Sequence, residues 1–300
     1  MIITGKELWG WRRWATQLAV NKNVSSYEVD WLLQSVAGID KLTLRLESIG
    51  DEELVSISGG IDRLSQLWID RVDDRQPVQY LIGKTFWRDF ELIVSPAVLI
   101  PRPETESIID IAVAESTQIQ KQGLWVDLGT GSGAISIGLA HELPDATIYA
   151  VDCSLDALDV ARTNATRLGG FDRIHFSQGS WWSSLGHLRG KLSGMISNPP
   201  YIPSDQVLRL QPEVAQHEPH LALDGGIDGL DAIRLLVDTA PEYLQIGGIW
   251  LIEMMAGQGE MVRQLLIQQG SYTDIQIIDD LAGLDRFVLA RIRFNQPCNI

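Results

Sequence analysis

Cysteine is nearly absent from this chain: 300 residues carry two, Cys153 and Cys298. Two distant thiols make no disulfide framework, which excludes a small stapled extracellular fold and fits a reducing cytoplasm. Long apolar runs are missing as well. No stretch approaches the roughly 18 apolar residues that a membrane span requires. The opening "MIITGKELWGW" has no basic start followed by an apolar run, the pattern of an export signal. The expectation is a soluble, cytoplasmic protein with no membrane partner. Basic residues are the third scarcity: Lys and Arg number 24 against 39 Asp and Glu, a net charge of −15. The deficit is uneven. Residues 1–101 hold 11 basic against 14 acidic side chains, and residues 102–300 hold 13 against 25. A domain that tracks a nucleic-acid backbone presents a basic face, so this balance argues against direct nucleic-acid binding and towards small molecules or a basic protein partner.

With 45% hydrophobic side chains, the chain can bury one large core, or one large and one small. Residues 1–84 read as a small all-α N-terminal domain. In "GKELWGWRRWATQLAV" Leu8, Trp11, Ala15 and Leu18 recur at helical spacing; "SSYEVDWLLQSVAG" opens on serines suited to an N-cap and ends in Gly38; Ile61 to Val72 puts Leu64, Leu67 and Trp68 on one face. Residues 85–102 alternate and are rich in aromatic and β-branched side chains, which predicts a β-hairpin linker. In "PRPETE" (101–106) Pro103 suits the first turn of a helix. Glu104 and Glu106 read there as first-turn acids favoured by the helix dipole.

Residues 103–300 alternate strand and helix. Apolar strands are predicted at 124–128, 147–151, 173–177, 194–197, 249–254, 275–279 and 286–292, with amphipathic helices between several of them. This predicts an α/β fold, a doubly wound and mostly parallel sheet covered on both faces. Only "DLAGL" separates the last two strands, too short for a parallel crossover, so the last strand should run antiparallel. Residues 201–228 lack periodicity and predict a long functional loop.

Ligands of such sheets bind outside the carboxyl ends of the strands. "VDLGTGSGAISIGLA" is strand, glycine loop and helix. Gly129, Gly131 and Gly133 let the backbone approach a ligand closely. The loop also satisfies the looser G-x-G-x-x-A form of the dinucleotide fingerprint, so the nucleotide remains open at this point. Asp152 ends the next strand, where a carboxylate accepts both hydroxyls of a ribose; the bland alternative is an N-cap, for which Ser154 competes. In "SQGSWW" either Trp181 or Trp182 could cover an adenine, or both could be core. The fourth strand delivers "NPPY" (198–201). Asn198 offers a side-chain carbonyl, the prolines bare backbone carbonyls, and Tyr201 an aromatic face. Together they suit a planar –NH2 group, with two acceptors for its hydrogens and a ring on its plane. "HEPH" (217–220) lacks the H-E-x-x-H spacing and contains a helix-breaking Pro219; no metal is expected.

In order, "VDLGTGSGAI", "AVD" and "NPPY" resemble the class I S-adenosylmethionine-dependent methyltransferases. "QPVQYLIGKTFWRDFELIVSPAVLIPRPETE", "NPPYIP", "EPHLALDGGIDGLDAIR" and "GLDRFVLARI" narrow the resemblance to the release-factor glutamine methyltransferase family (PrmC/HemK), over nearly the whole chain. The resemblance implies a seven-stranded methyltransferase sheet, residues 103–300, behind a helical substrate-recognition domain. It implies S-adenosyl-L-methionine as cofactor and methyl transfer to the glutamine N5 of the Gly-Gly-Gln loop of class 1 peptide chain release factors. The protein would act as a monomer. By position, Gly129, Thr130, Gly131, Ser132 and Gly133 would face the methionine portion, Asp152 the ribose and Trp181 the adenine. Asn198, Pro199, Pro200 and Tyr201 would grip the substrate amide, with Asn198, Pro199 and Tyr201 catalytic and Asn198 also touching the cofactor. One position departs from the family pattern: many relatives carry Asp where this chain has Ser180. The rival activity is an adenine amino (N6) methyltransferase acting on DNA or RNA, which presents the same planar group but wants a basic channel.

Overall fold

In a computed structural model, which describes residues 1–293, the chain forms two compact units. The first comprises Met1–Lys84 together with Pro212–His217. Its helices are Gly5–Asn21, Tyr27–Ala37, Lys41–Leu46, Gly60–Asp73 and Val78–Ile82. Thr4 and Glu7 form a reciprocal capping box at the first, which satisfies two otherwise orphaned N–H groups. Leu8, Trp11, Ala15, Leu64 and Trp68 are buried in its core, and the Trp68 indole N–H donates to the Ala15 carbonyl at 2.9 Å. Ser26 does not cap its helix as its residue type suggested. Its backbone is already helical and its hydroxyl makes no capping bond. The unit also holds a short antiparallel ribbon that the helical pattern hid, β1 (Ile2–Thr4) against β2 (Leu54–Ser56).

The hairpin of β3 (Lys84–Trp87) and β4 (Phe90–Ile93) is more than a connector. Trp87 and Leu92 are buried with Ile108 and Ile109 in one core of the second unit. The buried Asn164 side chain accepts the Ile93 N–H and donates to the carbonyls of Ile93 and Ser132.

The second unit is built on a seven-stranded sheet: β5 (Leu124–Leu128), β6 (Thr147–Asp152), β7 (Ile174–Gln178), β8 (Leu192–Ser197), β9 (Leu244–Glu253), β10 (Tyr272–Asp279) and β11 (Asp285–Ile292). The spatial order is β10-β11-β9-β8-β5-β6-β7, and β11 runs antiparallel to both its neighbours. Alternate side chains feed two cores: Trp125 points into one, Val126 into the other. Gly194, the register partner of Trp125 on β8, makes room for the indole. A Cβ there would lie 2.2 Å from the ring. β9 begins five residues before the predicted strand, because it bulges between its pairings Leu192↔Leu244 and Gly194↔Ile249. Gly247, at φ 75°, supplies the left-handed turn. The stretch 201–228 is not featureless either. It holds short helical turns at Ser204–Val207, Pro212–His217 and His220–Ala222, and a bridge between Ile202 and Asp224. These turns are too brief to show a period. No helix among the described residues is long and apolar enough to cross a membrane.

Candidate active site

β5 ends at Leu128 and the chain turns through Gly129–Gly133 into helix Ala134–Glu142. Gly129 and Gly131 have φ of 77° and 54°, left-handed values that L side chains resist. A Cβ at either would meet no protein atom within 4 Å, so open space lies against both backbones. Two carboxylates brace the loop. Asp127 is fully buried, and one oxygen accepts the Thr130 hydroxyl at 2.6 Å, the Ser136 hydroxyl at 2.7 Å and the Ser136 N–H at 3.1 Å. Burial pushes its pKa up to about 6 against the opposing effect of those hydrogen bonds. Asp152, at the end of β6, accepts the Gly131 N–H on one oxygen and the Ser154 N–H on the other, both at 2.9 Å. The oxygen that accepts Ser154 also accepts the Cys153 thiol at 3.7 Å, and the one that accepts Gly131 keeps a further lone pair. Ser154, not Asp152, caps the following helix by accepting the Ala157 N–H.

These elements open on a cleft of about 450 Å³, within the usual range for a small-molecule site. Gly129, Thr130, Gly131, Ser132 and Asp152 line it, and so do Trp181, Asn198 and Pro200. The tryptophans divide. Trp182 is buried and stacked on Tyr243 with centroids 4.4 Å apart. Trp181 stands on the cleft wall with φ 51°, a conformation rare for a bulky residue and found mostly where function demands it.

Three expected site residues are not on the wall. Gly133 lies over Ala161, 3.1 Å from where its Cβ would be, so it serves helix packing. Pro199 is buried. Tyr201 was expected to lay its ring on the substrate; instead it packs against a sheet core, and its hydroxyl donates to Glu253 Oε1 at 2.9 Å. A phenol in apolar surroundings needs an acceptor, and the carboxyl end of β9 provides one. Burial, then the charge of Glu253, raises the Tyr201 pKa and keeps it a neutral donor.

The structure adds residues to which the sequence reading gave no role. Ala97, Val98 and Leu99 form part of the wall, and Thr105 accepts a hydrogen from Asn198 Nδ2 at 3.3 Å. Glu253 is 1% exposed. One signal pointed to it: β9 ends on an acid, as β6 does. Of the remaining carboxylates, Glu106 accepts the Arg88 N–H. Glu218, from "HEPH", pairs with Arg102 at 2.7 Å and accepts the Ile100 N–H. Among the described residues no group of three or more His, Cys, Asp or Glu could hold a metal ion.

A doubly wound sheet with an antiparallel last strand, and a glycine loop and acid-ended second strand on one cleft, is the architecture of a methyltransferase. Residues 111–227 match the family model described as "Methyltransferase small domain". The fold is similar to that of a solved methyltransferase from Pyrococcus furiosus, at 16% identity over 77% of this chain and 98% of that one, with a TM-score of 0.50. Among curated relatives, the "Release factor glutamine methyltransferase" of Synechocystis sp. (strain ATCC 27184 / PCC 6803 / Kazusa) is 49% identical over 292 residues, 96% of this chain and 97% of that protein. The protein of the same name from Thermosynechococcus vestitus is 44% identical over 291 residues, 96% and 99% of the two chains. The chain belongs to the release factor glutamine methyltransferase family. Membership carries with it the S-adenosylmethionine dependence general to methyltransferases.

Proposed function

We propose that this protein transfers the methyl group of S-adenosyl-L-methionine to the side-chain amide nitrogen (N5) of the glutamine in the Gly-Gly-Gln loop of class 1 peptide chain release factors. The observation that carries this reading is the meeting of Asn198 and Pro200 with the glycine loop and Asp152 on one cleft wall. The open space against Gly129 and Gly131 and the spare lone pair on the Asp152 oxygen that accepts Gly131 suit the methionine and ribose parts of the cofactor. When bound, S-adenosyl-L-methionine supplies an electrophilic methyl group.

A carboxamide nitrogen is a weak nucleophile, since its lone pair is delocalised into the carbonyl. The Asn198 side-chain oxygen accepts one of its hydrogens, aims the nitrogen and disperses the charge that develops on it, whereas Pro199, buried off the wall, makes no contact with the amide. Such positioning supplies several kcal/mol of the roughly 7–11 kcal/mol available to well-oriented reactants. The proton leaves to water. Tyr201 holds the turn from behind through Glu253 rather than stacking on the amide. The helical unit recognises the body of the release factor, and the protein works as a cytoplasmic monomer without binding nucleic acid directly.

The test is transfer of labelled methyl to a purified release factor, to the same factor with its Gly-Gly-Gln glutamine replaced by alanine, and to duplex DNA. Label is expected only in the intact factor. Label in DNA, or equal label in the alanine factor, overturns the assignment.

A further inference from the structure

Asn198 has two ends of opposite polarity and nearly equal shape. Packing discriminates weakly between them, since the terminal torsion of an asparagine is broad and roughly two-fold. Only one orientation suits a substrate –NH2 group: Oδ1 must face it, because the Nδ2 hydrogens would meet donors with donors. Here Nδ2 is engaged by Thr105 Oγ1 at 3.3 Å. That leaves Oδ1 as the free end of a side chain on the cleft wall.

A threonine hydroxyl both donates and accepts, so Thr105 holds this orientation only if its own hydrogen is committed elsewhere. The group beside it that can take the hydrogen is Glu253. One carboxylate oxygen accepts from Tyr201; the other, Oε2, is buried and has no hydrogen-bond partner. Burial disfavours the charged carboxylate, while Thr105, Tyr201 and Arg286 favour it. The Thr105 and Glu253 side chains, 4% and 1% exposed, have little water to turn to instead. Glu253 is thus bonded to the "NPPY" turn through Oε1 alone, and its buried Oε2 is the unclaimed acceptor.

We infer that Thr105 and Glu253 are positioning residues: Glu253 takes the Thr105 hydrogen, Thr105 takes a hydrogen of Asn198, and this direction of donation keeps Asn198 Oδ1 towards the substrate. The inference rests on the substrate assignment proposed above and adds the residues that set the polarity of its acceptor. It predicts an unusual effect of Glu253→Gln. The carboxamide keeps the volume of the acid and can still accept from Tyr201. Its –NH2 then faces Thr105, the hydroxyl turns its hydrogen towards Asn198, and the amide flips.

The experiment uses the full chain and the variants Thr105→Val, Thr105→Ser, Glu253→Gln and Asn198→Ala. Single-turnover methyl transfer to release factor is measured beside calorimetric affinity for S-adenosylmethionine. Thr105→Val and Glu253→Gln should each lower the rate constant about a hundredfold, with cofactor affinity held within about twofold, and Thr105→Ser should restore the rate. Added to Asn198→Ala, neither should lower the rate further, because the group they position is gone. A wild-type rate in Thr105→Val, or losses that multiply with that of Asn198→Ala, overturns the proposal. So does a parallel loss of cofactor affinity, the mark of a merely structural role. If wild-type protein labels no release factor, the substrate assignment falls alone. Hydrogen exchange at the Asn198 side-chain amide, followed by NMR in asparagine-15N protein, then decides the polarity claim. Protection lost in Thr105→Val supports it, and absence of protection in the wild type overturns it.

Discussion

The two halves of the cleft are built in different ways. The half formed by the glycine loop and Asp152 is local: its bracing hydrogen bonds join residues 3 to 21 positions apart, from Asp127 to Thr130 and Ser136 and from Asp152 to Gly131. The half formed by the "NPPY" turn is assembled from distant segments, with Asn198 tied to Thr105 across 93 positions and Tyr201 to Glu253 across 52. A strand–loop–helix unit organises a ligand pocket with its own backbone. An acceptor with a chosen polarity needs several strand ends brought together by the sheet. The first half should govern affinity for the cofactor and the second the rate of transfer.

The largest expected effect comes from removing the acceptor itself. Asn198→Ala should lower the turnover number at least about a hundredfold, the loss typical of a deleted charge-stabilising group, while cofactor affinity changes little. A variant with near-normal turnover breaks the division between the halves. Asp152→Ala should do the reverse. It removes the acceptor of the Gly131 N–H and the spare lone pair beside it, so calorimetric affinity for S-adenosylmethionine should weaken about tenfold to a hundredfold, at 1.5–3 kcal/mol for hydrogen bonds to a charged group. Turnover at saturating cofactor should fall much less. Equal losses in both quantities would merge the halves into one.

The smallest effect sharpens the account of the local half. The folded-state pKa of Asp127 is raised to about 6, above the roughly 3.9 of an unfolded chain. The folded protein therefore holds this proton at pH values where the unfolded chain has released it. The contribution of this group to stability is fully present below about pH 4, is lost as pH rises towards 6, and is constant above that. Asp127→Asn keeps an acceptor for Thr130 and Ser136 but does not titrate. Urea unfolding should show the wild type losing stability relative to Asp127→Asn by roughly 1 kcal/mol per pH unit between about pH 4 and 6. A constant difference across that range rules the effect out.

The local half was largely legible in the sequence. Glycines at 129 and 131 and an acid closing the next strand announce themselves through spacing, because neighbouring residues make their own turn. The distant half was legible only in part. "NPPY" marked the place, but the direction of the Tyr201 ring depended on an acceptor 52 positions away. Thr105 was assigned no role, although it stands in "PRPETE" between the two acids read as first-turn residues. Gly133 was read with the loop although its constraint comes from Ala161 on the helix that follows β6. The bulge in β9 and the brief turns of 201–228 were missed because neither repeats long enough to form a pattern.

Amino-acid order alone determined the alternation of strands and helices, the reversed last strand and the glycine turn, since each follows from periodicity or from dihedral angles available to single residues. The tertiary structure decided which side chains face the cleft and which way their hydrogen bonds run. Those choices depend on partners that only the closed sheet brings within about 3 Å of one another.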